Sequence, residues 1–173
     1  PVSIDPLILY YNRDILSSNG FLTAPTNWGE LYTYTNKITK YSYSGEPKLS
    51  TIAFGTFSNI PYITDILLAM ILQQGQNIVE KRYIKDSVGD FKIKYDVTIN
   101  SALDDNSVNP LNSVLAFTKD FADIKKSVYN WSPKLNNALQ EFLSGNLAFY
   151  IGYASDLDYI KTSNQKLFSL IFC

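Results

Sequence analysis

The chain has 173 residues, with 15 basic and 16 acidic side chains, no histidine and a single cysteine, Cys173. Near-neutral charge without a block of like sign leaves no footprint for nucleic acid or an anionic membrane surface, and one cysteine cannot close an internal disulfide. The lack of histidine removes serine triads and histidine-held zinc, while the length suffices for a core without staples.

Polar and turn residues up to Pro6 give way to five apolar ones, Leu7 to Tyr11, which predict a buried strand. Asn12 caps a short helix over Arg13–Ser18 that ends at Gly20. Asn27 caps a second helix, with Glu30 at capping-box spacing and Trp28, Leu31, Thr35 and Ile38 on one face. Tyr41 to Lys48 reads as a surface loop and Ser50 to Thr56 as the next buried strand. Phe57 to Ile60 turns out of that strand, and Pro61 is placed at the first position of a helix whose Ile63, Ile66, Leu67, Met70 and Ile71 form a core stripe. The longest apolar run, Ile66 to Leu72, is far short of the roughly 20 residues that span a bilayer.

Gly75 ends that helix. Two β-leaning runs, Arg82–Ile84 and Phe91–Tyr95, flank Val88-Gly89-Asp90 and predict a surface hairpin with one wet face. A helix opens near Pro110, with Leu111, Val114, Leu115, Thr118 and Phe121 inward. Ser132-Pro133 starts another, with Leu135, Ala138, Leu139 and Phe142 as its stripe. This last helix enters the stretch that organises the chain, Phe142 to Ile160: Gly145 closes the helix, Leu147–Ile151 is a strand apolar on both faces, and Gly152 to Ser155 turns into a helix capped by Ser155. Strands alternating with helices predict an α/β layer fold, and in open α/β sheets ligands sit at the carboxyl ends of strands.

Asp104-Asp105-Asn106 lacks the glycine and terminal glutamate of a calcium loop, and Ser163-Asn164-Gln165-Lys166 lacks the companion motifs of a serine acyl-enzyme. Neither a cofactor nor a metal is called for. Thirteen tyrosines are the informative excess. Those beside strand-end turns, Tyr62 and Tyr153, offer a flat apolar face with a hydroxyl, which suits sugar rings. If the two strands concerned are parallel neighbours, both turns open on one edge, which Asp5 approaches. From the residues alone, a glycosidase-like domain using Asp5 with a second carboxylate, or a tyrosine-rich interaction module, stays open.

Taken together, PVSIDPLILYYNRDIL, APTNWGELYTYTNKIT and LQEFLSGNLAFYIGYASDLDYIKTSNQKL resemble the family 1 extracellular solute-binding proteins of ABC importers, the maltose-binding-protein-like group. The resemblance covers nearly the whole chain, with Phe149 where the family's last motif has Met. It implies an α/β fold of the periplasmic-binding-protein-like (type II) class, namely a C-terminal lobe with a mixed sheet flanked by helices. It further implies that residues 1–11 are a crossover strand from a first lobe outside this sequence and that 12–173 are the second lobe, cut short at its C-terminal end. By the same resemblance, the function is capture of a small solute, a carbohydrate, and its delivery to the membrane subunits of an ABC permease. No reaction is catalysed. The location is extracytoplasmic, in the periplasm or on a lipid anchor. The positions that the resemblance assigns to ligand are Asp5, Asn59, Ile60, Tyr62, Tyr153 and Ser155. Ile60 stands where the maltose-binding protein has a carboxylate, and Ser155 stands where many members carry a stacking tryptophan.

Overall fold

The Leu7–Tyr11 run forms β1, and the elements follow in order as α1 (Arg13–Ser18), α2 (Glu30–Ile38), β2 (Lys40–Tyr41), β3 (Pro47–Ile52), α3 (Ile63–Gln73), β4 (Val79–Lys85), β5 (Phe91–Val97), α4 (Pro110–Asp120), α5 (Ala138–Leu143), β6 (Leu147–Tyr153), α6 (Asp156–Ser163) and β7 (Leu170–Ile171). The structure, a computed structural model, describes residues 3–85, 87–101, 109–163 and 170–171, the last two by their backbone. The Asp104-Asp105-Asn106 cluster and the Asn164-Gln165-Lys166 part of the serine motif lie outside these residues. The chain divides into two compact units, residues 1–63 with 118–173, and residues 64–117.

The larger unit is built on a five-stranded mixed sheet in the order β2-β3-β6-β1-β7. Its central pairing is parallel, with Ser50 opposite Leu147 and Ile52 opposite Phe149, and β1 runs antiparallel to β6 from Leu7–Tyr153 to Tyr11–Phe149. Successive residues of a strand face opposite sides of the sheet, which locates the helices. The Phe149 ring meets Tyr34 of α2 at 5.5 Å, whereas the next residue, Tyr150, meets Phe142 of α5 at 5.8 Å. Helices therefore cover both faces of β6, which is why its run is apolar throughout. Leu147, Ala148, Phe149 and Tyr150 are all buried, each large side chain contributing about 1.5–3 kcal/mol.

Local signals fix several boundaries. The Asn12 side chain accepts from the N–H groups of Asp14 and Ile15 at 3.0 and 3.1 Å, the cap its position predicts. Ahead of α2, Asn27 accepts from the Glu30 N–H at 3.1 Å while the Glu30 carboxylate reaches back to the Thr26 N–H at 2.8 Å. The capping box thus spans Thr26 to Glu30, one residue wider than its spacing predicts. Gly145, at φ 77°, lets the chain leave α5 without a Cβ penalty and enter β6.

Other boundaries move. β3 starts at Pro47 rather than Ser50, because Lys40–Tyr41 folds back on it as β2 through a tight turn, and it ends at Ile52. At that end, the buried Asn130 side chain takes up the N–H groups of Thr51 and Ile52, the last two residues of the strand, at 2.8 and 2.9 Å. Ser132-Pro133 opens only one turn, with the Lys134 N–H donating to Ser132 Oγ. The helix itself waits for Asn137, whose side chain accepts from the Leu139 N–H at 3.0 Å. β6 runs two residues past Ile151, through Gly152 and Tyr153, because β1 supplies partners for both.

In the unit of residues 64–117, α3 keeps its predicted stripe: Ile66, Leu67, Met70 and Ile71 are buried. The hairpin β4–β5 pairs Val79 with Val97 through to Lys85 with Phe91. One face carries Val79, Tyr83, Phe91, Ile93, Tyr95 and Val97, and the other carries charges, including Asp96 paired to Arg82 and Lys94 at 2.5 and 2.8 Å. Both faces are exposed, not one, since a two-stranded ribbon has no layer of its own to bury a side. α4 opens at Pro110 as predicted, though Leu115 is exposed. No helix among the described residues is long and apolar enough to cross a membrane.

Candidate functional site

Because β3 and β6 are parallel neighbours and β1 is antiparallel to β6, the exits of β3 and β6 and the entry of β1 gather at one edge of the sheet. Backbone and side-chain bonds tie that edge together. The Ala154 N–H donates to the Pro6 carbonyl at 2.9 Å, the Ser155 N–H to Asp5 Oδ1 at 3.0 Å, and the Tyr10 hydroxyl to the Tyr153 carbonyl at 2.6 Å. The turn after β6 is Ala154-Ser155 alone, and α6 begins at Asp156.

Tyr62 and Tyr153, far apart in sequence, stand edge to face with ring centroids 4.9 Å apart. Tyr62 has the unusual backbone angle φ 56°, a left-handed conformation that interrupts the chain after Pro61, so the helix starts at Ile63 rather than at the proline. A non-glycine residue held there costs of order 1–3 kcal/mol and persists only where its surroundings hold it. Asp156 supplies part of that hold, accepting from the Tyr62 hydroxyl at Oδ1 (3.2 Å) and from the Tyr150 hydroxyl at Oδ2 (3.0 Å).

Gly152 leaves room for this carboxylate. A Cβ there lies 2.6 Å from the Tyr150 ring and collides with Asp156 Oδ2, so only glycine lets the Tyr150–Asp156 bond pass over the strand. Burial, and next the charge of Asp156, push the phenols of Tyr150, Tyr10 and Tyr62 above their ordinary ionisation range, and Asp5 adds to the shift at Tyr10 and Tyr62. The phenols therefore stay protonated donors.

Of the six positions singled out from the sequence, Asp5, Tyr62, Tyr153 and the backbone of Ser155 come together at this edge. Asn59 and Ile60 are 8% and 6% exposed and stand behind it. The Asn59 side chain is engaged at both ends: Oδ1 accepts from the Thr56 hydroxyl and Trp131 Nε1, and Nδ2 donates to the carbonyls of Ser132 and Leu135. Its backbone carbonyl accepts from the Ala138 N–H at 2.9 Å. Tyr10, Tyr150 and Asp156 escaped the sequence reading. Their signal is an acid at the first helical position after a strand that carries Tyr-x-Gly just before its last residue, since the glycine has to make space for something. Among the described residues, no group of three or more metal-type ligands occurs.

A tyrosine pair and two carboxylates make an edge able to stack on and hydrogen-bond a small polar molecule. No curated protein sequence matches the chain. Among solved structures it is similar to an ABC-transporter solute-binding protein from Thermotoga lettingae TMO, bound with α-D-tagatose, with TM-score 0.61, 16% identity, and 96% of this chain aligned to 37% of that one. It is also similar to the sugar-binding protein MalE of the phytopathogen Xanthomonas citri, with TM-score 0.57, 19% identity, and 94% of this chain aligned to 34% of that one. At these identities the likeness shows the fold, the mixed α/β architecture of periplasmic-binding-protein-like proteins, and the chain spans about a third of the length of each. The sequence profile of the bacterial extracellular solute-binding proteins matches residues 1–171. The chain belongs to that family.

Proposed function

We propose that the edge formed by Tyr62, Tyr153, Asp5 and Asp156 is one wall of a solute-binding cleft, and that the full-length protein captures a small carbohydrate outside the cytoplasmic membrane for an ABC permease. The observation that carries this reading is that Tyr62, bonded to Asp156, stands edge to face with Tyr153 at the edge where the chain leaves two parallel strands. Aromatic faces take the apolar side of a sugar ring, and carboxylate oxygens accept from its hydroxyls. Family membership and the two sugar-binding neighbours support it.

On this reading, residues 1–11 cross from a first lobe that supplies the opposite wall, residues 12–173 belong to the second lobe, and capture proceeds by closure of the two around the solute. Affinity then depends on the hinge equilibrium as well as on contacts. Asn59 and Ile60 shape the wall from behind. The permease's membrane subunits are the partner, and no covalent step takes place.

The test is calorimetry on the full-length protein with a panel of sugars. Tyr62→Ala and Tyr153→Ala should each weaken binding by about 1–3 kcal/mol, the scale of a buried aromatic contact. Tyr43→Ala, in the fully exposed β2–β3 turn, should leave it unchanged. Equal losses at Tyr43 and Tyr153 would refute the assignment.

A further inference from the structure

On one face of the β4–β5 hairpin, six apolar side chains, Val79, Tyr83, Phe91, Ile93, Tyr95 and Val97, are 48–74% exposed. A contiguous patch of this kind marks an interaction surface. The two-residue period of a strand sorts the hairpin's charges as well: Lys81 and Lys85 fall on the apolar face, opposite Tyr95 and Phe91, while Glu80, Arg82, Lys94 and Asp96 fall on the other. The second face neutralises itself, since Arg82 and Lys94 share Asp96. The apolar face keeps two cations and has no carboxylate along either strand. Among the described residues neither lysine is in an ion pair, and their ammonium groups lie 5.0 Å from the Tyr83 ring centre and 5.2 Å from that of Phe91. The near-neutral composition hides this one-sided surplus, which the pleat creates.

Charge and size decide what covers such a face. A second copy brings two more lysines against these two, and a ribbon of two seven-residue strands, roughly 23 Å by 10 Å, is far below the roughly 800 Å² that each partner gives to a standard interface. A different protein selects aromatic residues but disfavours lysine at the centre of its contact. An anionic bilayer surface takes both, because tyrosine and phenylalanine seat at headgroup depth and lysine stems lie along the apolar layer with their ammonium groups at the phosphates.

We propose that this face of the hairpin rests on an anionic phospholipid bilayer, flat and at headgroup depth. It goes no deeper, since β4 and β5 form a two-stranded sheet and each has a free edge whose N–H and C=O groups need water. The self-neutralised face then meets solvent. This surface role goes beyond carbohydrate capture and does not depend on it.

Flotation of the full-length protein, prepared without an acyl chain, reads the contact with vesicles of phosphatidylcholine alone and of phosphatidylcholine with about one third phosphatidylglycerol. Binding to the anionic vesicles should be roughly tenfold tighter or more and should weaken as salt rises. Lys81→Gln together with Lys85→Gln should weaken it by roughly fivefold per lysine. Arg82→Gln together with Lys94→Gln removes the same charge from the other face and should cost about twofold or less. Tyr83→Ser with Tyr95→Ser should weaken binding to both kinds of vesicle, by roughly tenfold. Should that serine variant lose the hairpin, the two glutamine pairs still compare one face with the other. Equal affinity for the two vesicle types, equal losses from the two glutamine pairs, or no vesicle binding at all overturns the proposal. A concentration-dependent dimer in sedimentation that the serine variant abolishes overturns it too and gives the face to a second copy. Cross-linking of Lys81 or Lys85 to permease subunits, with vesicles ignored, gives it to a protein.

Discussion

Gly152→Ala is the sharpest probe of how the site is assembled. The added methyl lies 2.6 Å from Tyr150 Cε1 and against the Asp156 carboxylate, well inside the roughly 3.5 Å at which carbon atoms rest in contact. Overpacking of this kind costs about 1–3 kcal/mol. Moving the ring aside also breaks the 3.0 Å Tyr150–Asp156 bond, and a bond to a charged acceptor is worth about 1.5–3 kcal/mol. Alanine returns about 0.5–1 kcal/mol through its smaller unfolded-state entropy, which leaves a net loss of about 3 kcal/mol. Urea unfolding of the full-length protein should show a lower midpoint at unchanged slope, and calorimetry should show weaker solute binding because Tyr62 loses its acceptor with the displaced carboxylate. A stability loss below about 0.5 kcal/mol would refute the packing argument on which the site's geometry rests.

Asn59→Ala should cost about 2–4 kcal/mol in urea unfolding, since it strands the buried Ser132 carbonyl and removes an acceptor from Trp131 Nε1; a neutral outcome would mean that the turn holds itself. Glu30 is held below its ordinary ionisation range, first by the Thr26 N–H and then by the Thr26 hydroxyl. Its contribution is therefore present above the ordinary carboxylate range and lost as pH falls through the depressed value, so Glu30→Gln should flatten the acid limb of a stability–pH curve, and an unaltered limb would contradict this. The full-length protein should release no reporter sugar from any glycoside; release proportional to protein and abolished by Asp5→Asn would restore the enzyme reading.

The parts of the fold legible in the sequence are those whose cause is local. β1, α1 and the start of α4 fall where Leu7–Tyr11, Asn12 and Pro110 put them, because an apolar run, an Asx cap and an N-terminal proline each act within a few residues. Where a distant partner decides, local signals mislead. Ser132-Pro133 looks like a helix start, yet the chain there is drawn to the Asn59 turn by hydrogen bonds from Asn59 Nδ2 and onto the Asn59 carbonyl, and α5 begins only at Ala138. β6 reaches Tyr153 because Leu7 and Ile8 pair with its last two residues. At the candidate site, the shared edge of Tyr62, Tyr153 and Asp5 followed from supposing β3 and β6 parallel. The central place of Asp156 did not, since nothing in the sequence shows that one carboxylate meets phenols 94 and 6 residues away.

The most direct measurement is a crystal structure of the full-length protein with its captured solute. The account predicts solute atoms within about 4 Å of the Tyr62 and Tyr153 rings and a hydrogen bond to Asp156. A solute seated elsewhere, with all three side chains untouched and Tyr62 still bonded to Asp156, would contradict it.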